Sequence, residues 1–177
     1  AAEQDNGVNL LGTLEPIKAN SELYTLLGQM GVTAVRHIMD YDSFARYQQM
    51  AKSKCNLVVA PSARYSAANM QKKHGMPYVE VFTSFSPEKI RENYGRIAEA
   101  LHTKCPALDG YYEESRKKLA DTAKKLGNMP VIIDGEAILK PFELARVLLE
   151  KGIYVTRIYE QQLLPCDRED FEWVRQN

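Results

Sequence analysis

The sequence predicts an α/β protein: a doubly wound parallel sheet in three α/β/α layers, followed by the start of a second α/β domain. A recurring order of elements supports this, because a helix, a glycine and a short apolar strand follow one another at Gly31, Gly75 and Gly152. Glycine just past a helix end adopts the left-handed conformation that terminates the helix. The strands after these glycines are apolar with little alternation, which is typical of strands that helices cover on both faces.

The stretch Asn56–Phe82 is the most informative part of the chain. It contains, in order, a buried strand, a turn of small residues, a helix, a glycine stop and a second strand, which together form a β–α–β unit. The turn Ala60–Ala63 follows the carboxyl end of the first strand, and open α/β sheets bind ligands at that end. This turn carries no cysteine, histidine or carboxylate.

The first predicted domain spans residues 1–105. Ser21 and Ser86 have side chains that cap helix N-termini well, and Pro87 suits the first position of a helix. The predicted elements are a strand at Val8–Leu11, a helix from Ser21, a strand at Val32–Met39, a helix through Ala51, a strand at Asn56–Val59, a helix at Ala63–His74, a strand at Tyr78–Phe82 and a helix from Ser86 to Thr103.

The second predicted domain spans residues 106–177, after the interruption at Cys105-Pro106. Asp167 is expected to cap the last helix. The unit shows only two strands, which is thin for an independent sheet and suggests a truncated domain. Its predicted elements are a helix at Asp109–Leu126, a strand at Val131–Ile133, a helix at Pro141–Lys151, a strand at Tyr154–Tyr159 and a helix from Asp167.

Composition excludes several classes of function. The chain has 23 Lys and Arg against 23 Asp and Glu, so no long-range field attracts nucleic acid or an anionic membrane. No apolar run approaches the roughly 20 residues of a membrane span. Cys55, Cys105 and Cys166 are odd in number and far apart, which argues against a disulfide framework and favours a reducing compartment. We therefore expect a cytoplasmic protein without nucleic-acid or membrane partners.

Polar residues at the strand-end turns are the candidates for a binding site. The predicted cofactor-binding set is Ser62, Arg64, Ser84 and Glu136. Arg64 either holds an anion together with backbone N–H groups at a helix start or pairs with a neighbouring carboxylate on the surface. Glu136 and Asp134 belong to a polar strand-to-helix turn that either meets a ligand or is a solvated turn. The catalytic residues stay unknown.

The histidines indicate no catalytic centre. His37 lies within an apolar strand, where a hydrogen-bonded core or edge histidine is the simplest interpretation. His74 and His102 lie near helix ends, where a partial positive charge complements the helix dipole. None has a Cys or Ser partner close in sequence, and the chain contains neither GxGxxG nor GxxxxGKS/T. We therefore predict no nucleophilic triad, no metal site and no nucleotide-phosphate loop.

The order of several short segments resembles a known family. These segments are Val8–Gly12, Met30–Val32, Asn56–Val59, Lys73–Tyr78 and Ile97–Leu101. They resemble, in sequence and order, the middle domain of nitrogenase component 1 family subunits, which is built around a Rossmann-like sheet. The later segments Val131–Glu136 and Leu144–Gly152 resemble the start of the next domain in those subunits.

The resemblance implies that this chain is a central slice of such a subunit. It further implies a homologous partner subunit and an ATP-dependent iron–sulfur reductase that donates electrons. In the full-length complex it implies an iron–sulfur cluster, a larger metallocluster or a tetrapyrrole at which a substrate is reduced. The 177-residue chain alone is expected to hold no cofactor and to be inactive.

One departure from the family pattern concerns the cofactor. In the catalytic α-type subunits of the family, the turn after the strand that matches Asn56–Val59 carries a cysteine that holds the large metallocluster. Here the turn reads Ala60-Pro61-Ser62-Ala63, and Cys55 lies at the other end of the strand. We expect no nitrogenase-type metallocluster at this turn, as in a β-type subunit or in a divergent member that uses a tetrapyrrole or another cofactor.

Three functions are consistent with these observations. The leading hypothesis is a nitrogenase component 1-like oxidoreductase subunit. A second is a non-catalytic scaffold of the same family that holds a precursor cluster and passes it on. A third is a plain α/β domain that binds a small molecule, whose similarity to the family is shared sheet patterning alone.

Overall fold

The structure is a computed structural model that describes residues 3–13 and 15–177. Its contacts divide the chain into two compact units. Unit 1 consists of Ala1–Thr83 and Glu92–Ala107, and unit 2 consists of Ser84–Arg91 and Leu108–Asn177. The sequence predicts a single boundary after residue 105. In the structure the chain passes from one unit to the other three times, after residues 83, 91 and 107.

Unit 1 is built on a four-stranded sheet in the order β2-β1-β3-β4, and every pairing is parallel. The strands are β1 (Gly7–Leu11), β2 (Ala34–His37), β3 (Cys55–Val58) and β4 (Tyr78–Glu80). The two central strands β1 and β3 are nearly wholly buried, as their continuous apolar runs require. This mixed architecture, with helices alternating with parallel strands, confirms the predicted α/β fold class.

Four α-helices alternate with these strands. They are α1 (Glu22–Gln29), α2 (Phe44–Tyr47), α3 (Arg64–His74) and α4 (Pro87–Ala100), the last of which begins in unit 2 and continues in unit 1. The predicted caps are confirmed: Ser21 Oγ accepts from the Leu23 amide at 3.3 Å, and Ser86 Oγ accepts from the Lys89 amide at 3.3 Å. Gly75 ends α3 with φ of 70°, as the helix–glycine–strand pattern predicts.

The segment between β2 and β3 differs from the expected strand and helix. The strand ends at His37 rather than Met39, and a 3₁₀ turn at Ile38–Asp40 follows. The next helix is α-helical only over α2 and then tightens to a 3₁₀ helix at Gln48–Lys52. The Met50 carbonyl accepts from the Asn9 side chain at 3.0 Å, which ties this last turn to the sheet before the chain enters β3.

A buried polar network joins β1 to β3. Asn9 and Asn56 are register partners, both are 0% exposed, and Asn9 Nδ2 donates to Asn56 Oδ1 at 2.8 Å. Ser53 Oγ donates to Asn9 Oδ1 at 2.7 Å, and Arg36 Nη1 donates to Ser53 Oγ at 3.0 Å. The network therefore links the central strands, the turn before β3 and the edge strand β2. The core of unit 1 also contains apolar side chains, among them Val8, Leu10, Leu27, Leu57 and Val58, each at most 1% exposed.

Unit 2 contains a two-stranded parallel sheet, β5 (Val131–Asp134) and β6 (Val155–Tyr159). Its helices are α5 (Asp109–Leu126), α6 (Pro141–Glu150) and α7 (Arg168–Gln176). Ile133, Ala145 and Ile153 form the centre of its core, each at most 2% exposed. None of the helices in the described ranges has the length and apolar character needed to cross a bilayer.

The prediction that Asp167 caps the last helix is wrong. Asp167 precedes α7 but makes no side-chain hydrogen bond to that helix. Its carboxylate instead accepts from the Phe142 and Glu143 amides, both at 3.1 Å, and so caps α6. The local pattern identified a helix-capping residue correctly, but tertiary packing decides which helix it caps.

Gly12 is required where β1 leaves the sheet. Its φ is +110°, and an added Cβ would lie 2.9 Å from the Ala60 amide nitrogen and 3.0 Å from the Ala60 Cβ. A side chain at this position would therefore meet both an unfavourable backbone conformation and the turn that follows β3.

We predict that Gly12→Ala lowers the free energy of unfolding by about 2 kcal/mol or more, because backbone strain and the Ala60 clash add. Gly28→Ala is the matched control, since a Cβ there meets no atom within 4 Å. Alanine in a helix is favoured over glycine by up to about 1 kcal/mol, so the control should be neutral or stabilising. Urea unfolding followed by far-UV circular dichroism measures both, and equal effects would contradict the assignment.

Candidate functional site

The carboxyl edge of the unit 1 sheet is the candidate ligand edge. In the order β2-β1-β3-β4 the chain moves from β1 to one side and then returns to the other side at β3, so the switch point lies between β1 and β3. Open α/β sheets bind ligands at such a point. At this point Gly12 lies close to Ala60, so that a Cβ added to Gly12 would lie 2.9 Å from the Ala60 amide nitrogen.

His37 ties the loop after β1 to the end of β2. It is 3% exposed, and its Nε2 lies 2.9 Å from the Thr13 carbonyl oxygen. A carbonyl oxygen only accepts, so Nε2 is the donor in this hydrogen bond. No donor reaches Nδ1 from the described residues. The predicted hydrogen-bonded edge histidine is thus satisfied on one ring nitrogen.

The turn after β3 places Ser62 and Arg64 at this edge. Pro61–Ala63 form a 3₁₀ turn that runs directly into α3, and no side chain caps that helix. Ser62 is exposed. The turn offers hydroxyl and backbone groups but no soft donor for a metal.

Arg64 forms an ion pair within unit 1. Its Nε and Nη2 donate to the two carboxylate oxygens of Glu80 at 2.6 and 2.7 Å, and its guanidinium lies 5.4 Å from the centre of the Phe82 ring. The hydrogen bonds from Arg64 hold the pKa of the Glu80 carboxyl below its usual range. An anion at this helix start would therefore compete with a bidentate carboxylate for the guanidinium.

No cysteine belongs to a group of three or more potential metal ligands among the described residues. Cys55 is 1% exposed at the amino end of β3, and burial raises the pKa of its thiol to about 11. Metal ligation needs the thiolate, so the buried position of this thiol disfavours ligation. Cys105 is exposed and Cys166 is half-buried. Across residues 3–13 and 15–177, no group of three or more His, Cys, Asp or Glu side chains is arranged to hold a metal ion.

The other two predicted site residues lie in unit 2. Ser84 is half-buried and its Oγ donates to Glu143 Oε1 at 2.9 Å. Glu136 is exposed, and its Oε1 accepts from Gln161 Nε2 at 2.8 Å. Its amide donates to Asp134 Oδ1 at 3.0 Å, so Asp134, the last residue of β5, makes an Asx turn. Ser84 and Glu136 thus have different partners within the unit.

A buried charge cluster around Glu143 was not predicted. Glu143 is 1% exposed and accepts from the buried Lys140 ammonium, while Lys89 Nζ lies 3.1 Å from its other oxygen. Lys89 Nζ also donates to Asp170 at 2.8 Å, and Asp170 is 0% exposed. Arg146 Nη1 donates to the second oxygen of Asp170 at 3.0 Å. The cluster therefore joins the start of α4 to α6 and α7.

The role of this cluster follows from the pairing of its cations with its carboxylates. Three cations, Lys89, Lys140 and Arg146, face the carboxylates of Glu143 and Asp170, with the Asp167 carboxylate engaged at the start of α6. Burial raises the pKa of the Asp167 carboxyl. The carboxylate oxygens of Glu143 and Asp170 accept hydrogen bonds from cations or from Ser84. The cluster therefore stabilises the packing of unit 2 and is not an open binding site.

One signal in the sequence marks Glu143 as buried. It lies one helical turn before Val147, which is 6% exposed, so both occupy the packed face of α6. A glutamate in the first turn of a helix is also favoured by the helix dipole, and that local explanation hides its burial.

Comparison with known proteins adds one finding. The sequence model of the family described as nitrogenase component 1 type oxidoreductase matches residues 1–162 of the 177-residue chain. The match covers the whole β1–β4 sheet and both strands of unit 2. No curated protein matches the chain.

We predict that Glu143→Gln destabilises unit 2 by roughly 3–5 kcal/mol, because it leaves the buried Lys140 ammonium without a counter-charge. Glu150→Gln is the matched control: Glu150 also pairs with a cation of α6, but its side chain is 43% exposed. Its loss should cost about 1 kcal/mol or less. Fluorescence of Trp173, the only tryptophan and part of α7, follows unfolding in urea. Equal costs for the two variants would show that the cluster is not a buried network.

Proposed function

The chain belongs to the nitrogenase component 1 type oxidoreductase family, and we propose that it forms part of an oxidoreductase subunit of that type. In this role it works with an ATP-dependent iron–sulfur reductase, whose electrons are used to reduce a substrate at a metal cluster or a tetrapyrrole. The family match over residues 1–162 is the observation that carries the proposal. The parallel α/β sheet of unit 1 is consistent with it.

The side chains of the β3 turn do not fit a nitrogenase-type metallocluster. Ala60 and Pro61 have no metal-binding atoms, and Ser62 offers only a hydroxyl, whereas iron–sulfur clusters are held by thiolates. Cys55, at the far end of the strand, is buried with a raised thiol pKa. A redox group in the working enzyme is therefore held by other residues than this turn.

The groups at the carboxyl edge of the unit 1 sheet indicate what this chain contributes to the complex. Gly12 lies close to Ala60 where β1 and β3 end, and Arg64, just after the β3 turn, is paired with Glu80. In the proposed complex these elements form a preorganised wall rather than a ligand set. We further propose that a homologous partner subunit completes the complex and that it works in the cytoplasm.

The native complex tests this proposal. A tag on the gene in its own host allows anaerobic purification of whatever complex contains the chain, followed by iron, sulfide and tetrapyrrole analysis. We expect stoichiometric iron or tetrapyrrole, and ATP-dependent oxidation of the host's iron–sulfur reductase when the complex is added. Substoichiometric cluster that moves to an acceptor protein without substrate reduction would instead identify an assembly scaffold.

The 177-residue chain alone is the internal control. It should contain no stoichiometric iron after anaerobic reconstitution, and replacement of Cys55, Cys105 and Cys166 by serine should leave its iron content unchanged. A native complex without iron and without tetrapyrrole would contradict the oxidoreductase role and leave an α/β domain that binds a small molecule.

A further inference from the structure

We draw no further inference here: the strongest candidate, the exposed aromatic patch that Ile38, Phe44 and Tyr47 form just after β2 in unit 1, carries none because nothing in the structure shows what covers it.

Discussion

The hydrogen bond between Asn9 and Asn56 is the constraint on which the architecture of unit 1 depends. Both amides are wholly buried on the two central strands, where the backbone hydrogen bonds of the sheet leave their side chains to satisfy one another. A register slip of one residue would turn the side chains of the slipped strand to the other face, so the two amides would no longer meet and would lose each other as buried partners. Ser53 and the Met50 carbonyl complete the network, so the same interaction also fixes the turn that leads into β3.

The register of β1 and β3 determines which residues meet at the candidate ligand edge of the sheet. With β1 and β3 aligned in this way, Gly12 and Ala60 lie close to each other at the strand ends. The turn after β3 contains no cysteine, so this chain contributes no thiolate at that edge. Unit 2 relies on the same principle with charges instead of amides, since Glu143 and Asp170 are buried only because cations from other segments reach them.

Local chemistry made much of the fold predictable. Glycine after a helix, serine before one and unbroken apolar strands are local signals, and Gly75, Ser21 and β3 behave as those signals require. The failures share a tertiary cause. Asp167 caps α6 rather than α7. The 3₁₀ helix after Tyr47 is held by a hydrogen bond from the Asn9 side chain of β1 to the Met50 carbonyl. At the candidate site, Arg64 was recognised as a charged group at a helix start, but only the structure shows that Glu80 neutralises it.

A double-mutant cycle on Asn9 and Asn56 tests the central constraint most directly. Asn9→Leu and Asn56→Leu each remove one partner of a buried hydrogen bond, and each should lower the free energy of unfolding by roughly 2–3 kcal/mol. The double variant should cost at least about 1 kcal/mol less than the sum, because the second replacement removes a group that the first left unsatisfied. Costs that add to within about 0.5 kcal/mol would show that the two amides act independently and that their pairing does not set the register.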